Sequence, residues 1–333
     1  DRVTGLKAAA DSGPCAAPAH GAPVKRPEPR PEAKPAAKPE PGAEKKPKEK
    51  KKDPGTELVI RDLAAGTDSR IAEVVEYVWA NDGSWLAYGT ASDAKTPEKD
   101  GAFARRLSDG VTKTLLSGLG HYKTFAFDEK SAQLAFLSDR DTYKDDPAIF
   151  KLYHWTPAAE VGAEIASGAT RGMPAGMVVS ENGRPEFSKD GTRLFFGYAK
   201  PPAPEPAEDA AEPVKIDLWS WTDPLLQPMQ KVQADADKRR SYRAVVHLKD
   251  RRLVPLASED MPDLTVNDTD AVALGSSGLP YQQMISWDSS HNDYYAVSLQ
   301  DGSRRRLIEK SRFAATLSPG GSYHLTFDAD DSH

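Results

Sequence analysis

Apolar and polar residues alternate along most of this chain in short segments, and two phrases of this pattern return in a fixed order. The first phrase begins with an aromatic or apolar residue and passes through a polar turn rich in Asp, Gly, Ser and Lys. It ends in an apolar-rich segment. Because Asp-Gly and Gly-Gly permit the positive φ of tight turns, each copy predicts a β-hairpin. Regular copies occupy residues 79–88, 127–136 and 187–196, and a looser copy occupies 317–325.

The second phrase is a Leu, a Gly three positions later, and an apolar residue eight positions after the Leu. It runs from Leu63 to Ile71, from Leu107 to Leu115 and from Leu299 to Leu307. Each copy also predicts a hairpin. Since the second phrase precedes the next first phrase by 16 to 20 residues, the two together predict a unit of four short strands.

Units of about 40 to 50 residues with four strands each are typical of β-propeller blades. The sequence therefore predicts an all-β fold, a β-propeller over residues 57–333 that forms an incomplete ring of four-stranded blades. A two-sheet sandwich also places turns this often, but it does not predict the ordered return of the same two phrases. Complete blades are predicted at 72–118, 119–168, 178–257 and 272–310, with parts of others at 57–71 and from 311.

The third predicted blade contains two departures from the repeat. A Pro-rich acidic segment at 201–213 is interpreted as an inserted loop. Farther along, the turn Asp223-Pro224 leads into a polar, helix-permissive stretch at 229–240. We predict a short helix there, outside the blade core.

Composition separates the first 56 residues from the rest. Hydrophobic residues make up only 38% of the chain, and 11 of its 27 prolines lie in residues 1–56, among runs of Lys, Ala and Glu. Such a segment buries too little apolar surface to offset its ordering entropy, so we interpret 1–56 as a disordered insertion or linker. The Lys run at 45–52 is better explained as a solvated linker than as a site for an acidic partner.

Charge narrows the set of partners. Residues 1–56 carry 13 Lys/Arg and 8 Asp/Glu, whereas the remaining residues carry 31 and 42, a balance of −11. That balance disfavours nucleic acid as a partner. No apolar run approaches the roughly 20 residues of a membrane span. The single cysteine, Cys15, permits no internal disulfide and leaves the redox compartment open. The chain begins at Asp1 without a signal segment, and we expect both ends to be cuts.

The sequence nominates no catalytic, cofactor-binding or metal-binding residue. It contains no Gly-x-Ser-x-Gly, no phosphate-binding loop and no His-Glu-x-x-His. The nearest resemblance to a nucleophile motif, Gly275 to Gly278, is interpreted as a flexible loop between strands. The histidines are not at ligand spacing, and His247 is predicted to be a satisfied core or interface residue. They are His20, His121, His154, His247, His291, His324 and His333.

Three kinds of side-chain cluster have both a structural and a functional interpretation. Acidic pairs at 145–146, 259–260 and 330–331 are expected to be solvated turn residues. An aromatic set, which could stack on a ligand, is expected to pack blade on blade. Basic clusters at 238–243 and 304–306 could hold an acidic partner or a carboxylate, but a solvated surface or salt bridges between a blade and another domain are favoured. The aromatic set is Trp219, Trp221, Tyr294 and Tyr295, and the basic clusters centre on Arg239 and Arg305.

Three segments resemble the propeller of bacterial prolyl-oligopeptidase-family serine peptidases. They are VEYVW at 75–79 followed by Asp82-Gly83, DLWSWTDP at 217–224, and QADADKRRSYRA at 233–244. The resemblance spans most of 57–333, although TolB-like propellers share the general blade phrases. In that family the propeller precedes a C-terminal α/β-hydrolase domain that carries the catalytic Ser, Asp and His. This sequence lacks that domain, so no catalytic residue is carried over.

The resemblance implies a non-catalytic propeller that filters short peptides for a hydrolase domain of the same polypeptide. It also implies a periplasmic or secreted location. Two other functions stay open at this point. One is a TolB-like propeller that binds a protein partner, and the other is a propeller that binds a small molecule or sugar through polar residues in its channel. A hydrolase sequence downstream of His333 would separate the first from the others.

Overall fold

The computed structural model describes residues 54–92, 99–204, 218–267 and 271–327. Within these ranges the chain folds into a succession of antiparallel sheets, each made of strands that follow one another in sequence. This order confirms the all-β propeller class. The first sheet contains β1 (Thr56–Arg61), β2 (Asp68–Trp79), β3 (Trp85–Thr90), β4 (Gly101–Arg106) and β5 (Thr112–Ser117).

Three further sheets and a two-stranded hairpin follow the same plan. Blade 2 contains β6 (Tyr122–Phe127), β7 (Leu134–Ser138), β8 (Lys151–Trp155) and β9 (Ala163–Ala166). Blade 3 contains β10 (Val178–Val179), β11 (Glu186–Phe187), β12 (Arg193–Ala199), β13 (Tyr242–His247) and β14 (Arg252–Pro255). Blade 4 contains β15 (Asp263–Thr265), β16 (Val272–Ser277), β17 (Asn292–Ser298) and β18 (Arg304–Ser311), and a hairpin of β19 (Thr316–Leu317) and β20 (His324–Leu325) follows.

The strand β2 pairs with two different strands along its length. Its first half pairs with β1, its second half pairs with β3, and Val74 lies in register with both Thr56 and Thr90. We therefore describe β2–β5 as blade 1. The β1–β2 hairpin covers the outer face of blade 1, where Leu58 and Ile60 pack against Leu86.

The hairpins form where both repeated phrases predict them. In the first phrase Gly83 has a φ of 70°, and in the second Gly302 has a φ of 73°. These values lie in the left-handed region that glycine adopts without a Cβ clash. Blades 2 and 3 place a non-glycine residue at the corresponding turn, Ser131 with φ 59° and Arg251 with φ 52°. At Ser131 the periodic signal therefore extends to a copy in which the glycine itself is missing.

Hydrophobic cores alternate with the sheets, so each core lies between two consecutive blades or between an end blade and a hairpin. Between blades 1 and 2, for example, Trp155 is 1% exposed. Its ring meets Trp85 edge to face at 5.3 Å between centroids, and its Nε1 donates to the carbonyl oxygen of Ala159 at 3.1 Å. Separate cores join blades 2 and 3, blades 3 and 4, and blade 4 and the β19–β20 hairpin.

The connections fall at two ends of the blades because consecutive strands are antiparallel. One end, the tight-turn end, holds the short hairpin turns between the first and second and between the third and fourth strands. There Asn81 Nδ2 donates to the carbonyl oxygen of Asp128, and Gln133 Nε2 donates to that of Gly191, so turns of successive blades touch. The other end, the long-loop end, holds the connections that follow β3, β7, β12 and β16, and those that lead from one blade to the next.

Among the described residues, one α-helix and one 3-10 helix of eight residues lie in connections at the long-loop end. The predicted helix is confirmed as α1 (Gln227–Lys238), in the connection between β12 and β13. A 3-10 helix (Leu279–Ser286), which the sequence analysis does not predict, follows β16. The flexible loop expected at 275–278 is wrong, because Gly275 to Ser277 belong to β16 and the Ser277 hydroxyl donates to the carbonyl oxygen of Asp260 at 2.7 Å.

Several sequence predictions concern residues outside the described ranges. They are residues 1–53 of the disordered segment predicted at 1–56, Cys15, the Lys run at 45–52, most of the acidic loop at 201–213, and Asp330-Asp331. The described ranges include no helix that is both long enough and apolar enough to cross a membrane.

Candidate functional site

A cleft of about 610 Å³ opens between the inner strands of blades 1, 2 and 3 toward the tight-turn end. Its wall is built from the end of β2, the end of β6, and β11 with the residues that precede it. The volume lies within the range of about 300–1,000 Å³ that is usual for ligand sites. It suits a small molecule or a short peptide and is far too small for a folded protein.

The repeated phrase itself builds the apolar wall of this cleft. Trp79, Phe127 and Phe187 are the leading aromatic residues of the three regular copies, and all three line the cleft. Each ends the inner strand of its blade, so the repeat brings equivalent positions to one place. Trp79 is 46% exposed, which leaves much of its ring available to a ligand.

The inner strand of blade 3 is interrupted beside the cleft. Val179 pairs with Tyr198 and Glu186 pairs with Phe195, so seven steps along the inner strand match three steps along β12. The four extra residues leave the ladder as a wide insertion, which we call the β10–β11 insertion (residues 180–185). Insertions of this kind are frequent beside binding sites because they redirect side chains.

Two contacts hold the β10–β11 insertion against its neighbours. Gly183 lies against Gly197 of β12 so closely that a Cβ on Gly183 would be 2.2 Å from the Cα of Gly197. On the other side, Lys123 Nζ of β6 forms an ion pair with Glu181 Oε2 at 2.7 Å. Arg184 and Pro185 are thereby placed in the cleft wall. The sequence analysis does not single out these residues, and their only signal is the length mismatch between neighbouring strands.

Some charged side chains of the cleft form ion pairs and others do not. Arg243 forms an ion pair with Glu186, and its guanidinium lies 5.9 Å from the Phe195 ring centroid. Arg184, by contrast, is exposed and has no hydrogen-bond or ion-pair partner among the described residues. Lys189 and Glu129 complete the charged lining. An unpaired guanidinium beside an aromatic wall equips the cleft to bind an anionic group on an apolar ligand.

A second feature is an exposed aromatic surface at the long-loop end, and it corrects one prediction. Trp219 and Trp221 are exposed, Trp221 by 87%, so the expectation that they pack blade on blade is wrong. They lie in the connection between β12 and β13 rather than in a strand. For Tyr294 and Tyr295 the expectation is confirmed, since both pack in cores. The aromatic surface comprises Leu218, Trp219, Trp221, Leu226, Leu279, Ile285 and Trp287.

The aromatic surface has two parts, one in the connection between β12 and β13 and one in the 3-10 helix region that follows β16. Hydrogen bonds join the two parts to each other and to blade 4. Gln283 Nε2 in the 3-10 helix donates to the carbonyl oxygen of Thr222 at 3.1 Å. Tyr281 donates its hydroxyl to Asp293 Oδ1 at 2.6 Å, and burial together with this contact raises the pKa of Tyr281 to about 12. A groove of about 590 Å³ lies between the parts, lined in part by Leu218 and Leu279.

Three of the described histidines hold parts of the fold together through their rings. His247 Nε2 contacts the carbonyl oxygen of Leu299 at 3.0 Å, which confirms its predicted role at a blade interface. His154 Nε2 lies 2.9 Å from Gln133 Oε1, and burial lowers the pKa of His154. His121 Nδ1 lies 2.8 Å from Asp139 Oδ2 at the long-loop end. Over the described ranges, no three His, Cys, Asp or Glu side chains are placed to hold a metal ion.

The basic clusters are largely engaged by neighbouring acids. Arg240 pairs with Asp237 at 2.7 Å, and Arg306 pairs with Glu309 at 3.1 Å. Arg304 donates to Asp260 at 3.2 Å and to the Ser258 hydroxyl at 2.7 Å. These contacts are local salt bridges of surface residues, and the predicted salt bridges to another domain stay a prediction.

No protein-family profile matches this chain, and no curated protein sequence matches it either. Similar solved structures include TolB from Acinetobacter baumannii, at 11% identity and a TM-score of 0.34, with 80% of this chain and 52% of that chain covered. The β-propeller domain of the Trilobed protease from Pyrococcus furiosus has 12% identity, a TM-score of 0.39, and coverages of 82% and 71%. Acylaminoacyl peptidase from Pyrococcus horikoshii has 13% identity, a TM-score of 0.35, and coverages of 78% and 38%. The chain thus spans about half the length of TolB and less of the peptidase.

Proposed function

We propose that this chain is the β-propeller portion of a prolyl-oligopeptidase-like serine peptidase. In this role it gates the access of short peptides to a C-terminal α/β-hydrolase domain of the same polypeptide. The aromatic surface at the long-loop end is the observation that carries the proposal. Exposed aromatic and aliphatic side chains grouped in two linked connections are typical of interaction sites, and they are costly to leave in water.

The position of the aromatic surface supports a domain interface. Leu218 and Trp221 precede α1 in the DLWSWTDP segment, which is one of the segments that resemble the peptidase family. The contact from Gln283 to Thr222 fixes this segment against the 3-10 helix. A surface held in place in this way suits a permanent neighbour, because little side-chain and loop entropy is lost on docking.

The cleft at the opposite end supports the gating role. A cleft of about 610 Å³ admits an extended peptide, and a folded protein does not enter it. The peptide would reach the hydrolase domain by passing along the inner strands. This arrangement selects substrates by size before any catalytic residue is met.

The decisive test is to sequence the gene beyond His333 and assay the full-length product with short chromogenic peptides. We expect a downstream Gly-x-Ser-x-Gly and cleavage that a serine-directed inhibitor abolishes. Larger, folded substrates should resist cleavage. If the full-length product does not cleave peptides and no hydrolase sequence follows, the proposal is refuted, and a TolB-like interaction propeller becomes the better assignment.

A matched pair of variants tests the interface itself. Leu218 is 89% exposed at the long-loop end, and Leu63 is 91% exposed at the tight-turn end. In the full-length protein, Leu218→Asp should reduce peptidase activity and loosen the two domains in limited proteolysis, because it places a charge in an apolar interface. Leu63→Asp should leave both unchanged. Equal behaviour of the two variants would contradict the assignment of the aromatic surface.

A further inference from the structure

Among the cations that line the cleft, Arg184 is the one whose side chain has no hydrogen-bond or ion-pair partner in the described part of the chain. Arg243 and Glu186 neutralise each other, whereas Arg184 is exposed and has no described partner. The β10–β11 insertion places four extra residues outside the hydrogen-bonded ladder, and Arg184 lies near the end of this insertion. An arginine held by such an insertion at the wall of a cleft is well placed to recognise a ligand.

The chemistry of the neighbours limits what this ligand can be. A guanidinium binds carboxylates through paired, charge-assisted hydrogen bonds. Trp79, Phe127 and Phe187 offer ring faces to an apolar side chain in the same cleft. The balance of −11 in residues 57–333 disfavours polyanions, so a single carboxylate on a small apolar ligand fits best.

We propose that Arg184 binds the C-terminal carboxylate of a short peptide whose last side chain is apolar and packs against Trp79. This inference rests on the proposed function, since it names the substrate feature that the cleft selects. Peptides with a free C-terminus are thereby separated from chain segments inside longer proteins. Specificity comes from the match of both groups, because neither the ion pair nor the ring contact is strong alone at a partly exposed site.

The test is direct binding to the 333-residue chain, measured by fluorescence anisotropy. The probes are fluorescein-labelled Ala-Ala-Phe as the free acid and as the C-terminal amide. We expect the acid to bind about three- to tenfold more tightly than the amide, which is the range for one partly solvated charge-assisted contact. The ratio should shrink at high salt, because exposed charges are screened.

Three variants assign the contacts. Arg184→Ala should abolish the preference for the acid, whereas Trp79→Ala should weaken both probes by a similar factor. The control is Arg305→Ala, since Arg305 lies on β18 of blade 4, is exposed, and its side chain has no hydrogen-bond or ion-pair partner among the described residues. It should change nothing. Circular dichroism confirms that each variant is folded.

Three results would overturn the inference: equal binding of acid and amide, a preference that survives Arg184→Ala, or no binding of either probe. The outcome is distinguishable from failure of the proposed function. If the full-length protein cleaves peptides but the chain shows no acid preference, only the role of Arg184 falls. If the chain prefers the acid but the full-length protein does not cleave peptides, the carboxylate site is supported and the peptidase proposal is refuted.

Discussion

The contribution of the core between blades 1 and 2 to stability can be measured by truncating one buried side chain, Trp155. Trp155 is 1% exposed, meets the Trp85 ring at 5.3 Å, and donates its N–H to the carbonyl oxygen of Ala159. Truncation of a buried aromatic residue to Ala costs about 3–5 kcal/mol of unfolding free energy. That range includes about 0.5–1.5 kcal/mol for the ring pair. We therefore expect Trp155→Ala to lower Tm by about 6–20 °C for a domain of this size.

The matched control is the same substitution at a solvent-exposed tryptophan. Trp221 is 87% exposed, so Trp221→Ala should change the unfolding free energy by less than about 0.5 kcal/mol. Urea denaturation followed by circular dichroism gives both values, and Trp155→Phe provides a milder variant if Trp155→Ala does not fold. A loss below about 1.5 kcal/mol for Trp155→Ala, or equal losses for the two alanine variants, would refute the proposed packing of blade 1 on blade 2.

Further predictions concern pH, packing and turns. Burial lowers the pKa of His154 and of His247, so the folded state binds fewer protons than the unfolded state. Stability should therefore fall as pH drops below about 6.5, and a flat Tm between pH 7.5 and 5.5 would contradict this. Gly197→Ala should cost about 1–3 kcal/mol because its Cβ would meet the β10–β11 insertion, whereas Gly320→Ala should be nearly neutral in the same urea titration. Arg251→Gly should increase the unfolding free energy by about 0.5–1 kcal/mol and so raise the urea midpoint, because glycine adopts the φ of 52° at this position without the strain that a Cβ causes. A lower midpoint would count against the turn geometry.

The repeated turns made the fold predictable from sequence. A hairpin turn needs a residue at positive φ between two apolar segments, and Gly83 and Gly302 satisfy that need within a few residues of chain. Ser131 occupies an equivalent turn without glycine, yet the spacing of its flanking apolar residues still predicted the hairpin, whereas the turn at Arg251 matches no copy of the second phrase and was not predicted. Local chemistry and periodicity therefore agree on the four-stranded unit.

The exposed aromatic surface and the position of Arg184 could not be predicted from the sequence, because they depend on strand pairing and loop placement that leave no periodic pattern. Trp219 and Trp221 alternate with polar residues as strand residues do, and only their place in a connection between β12 and β13 leaves them exposed. Arg184 precedes a regular phrase, but its position in the cleft results from the pairing of β10 and β11 with one strand, β12. The role of that residue could not be inferred before the register was known.

The alternation of sheets and cores makes the stability of this chain a nearest-neighbour property. Each core joins only consecutive blades, so a perturbation in one core reaches a distant blade only through the blades between them. Unfolding is then expected to begin at a terminal hairpin, which has a neighbour on one side, and to advance blade by blade. For evolution, the same property means that a blade can be added or lost at an end while the interior cores keep their sequences.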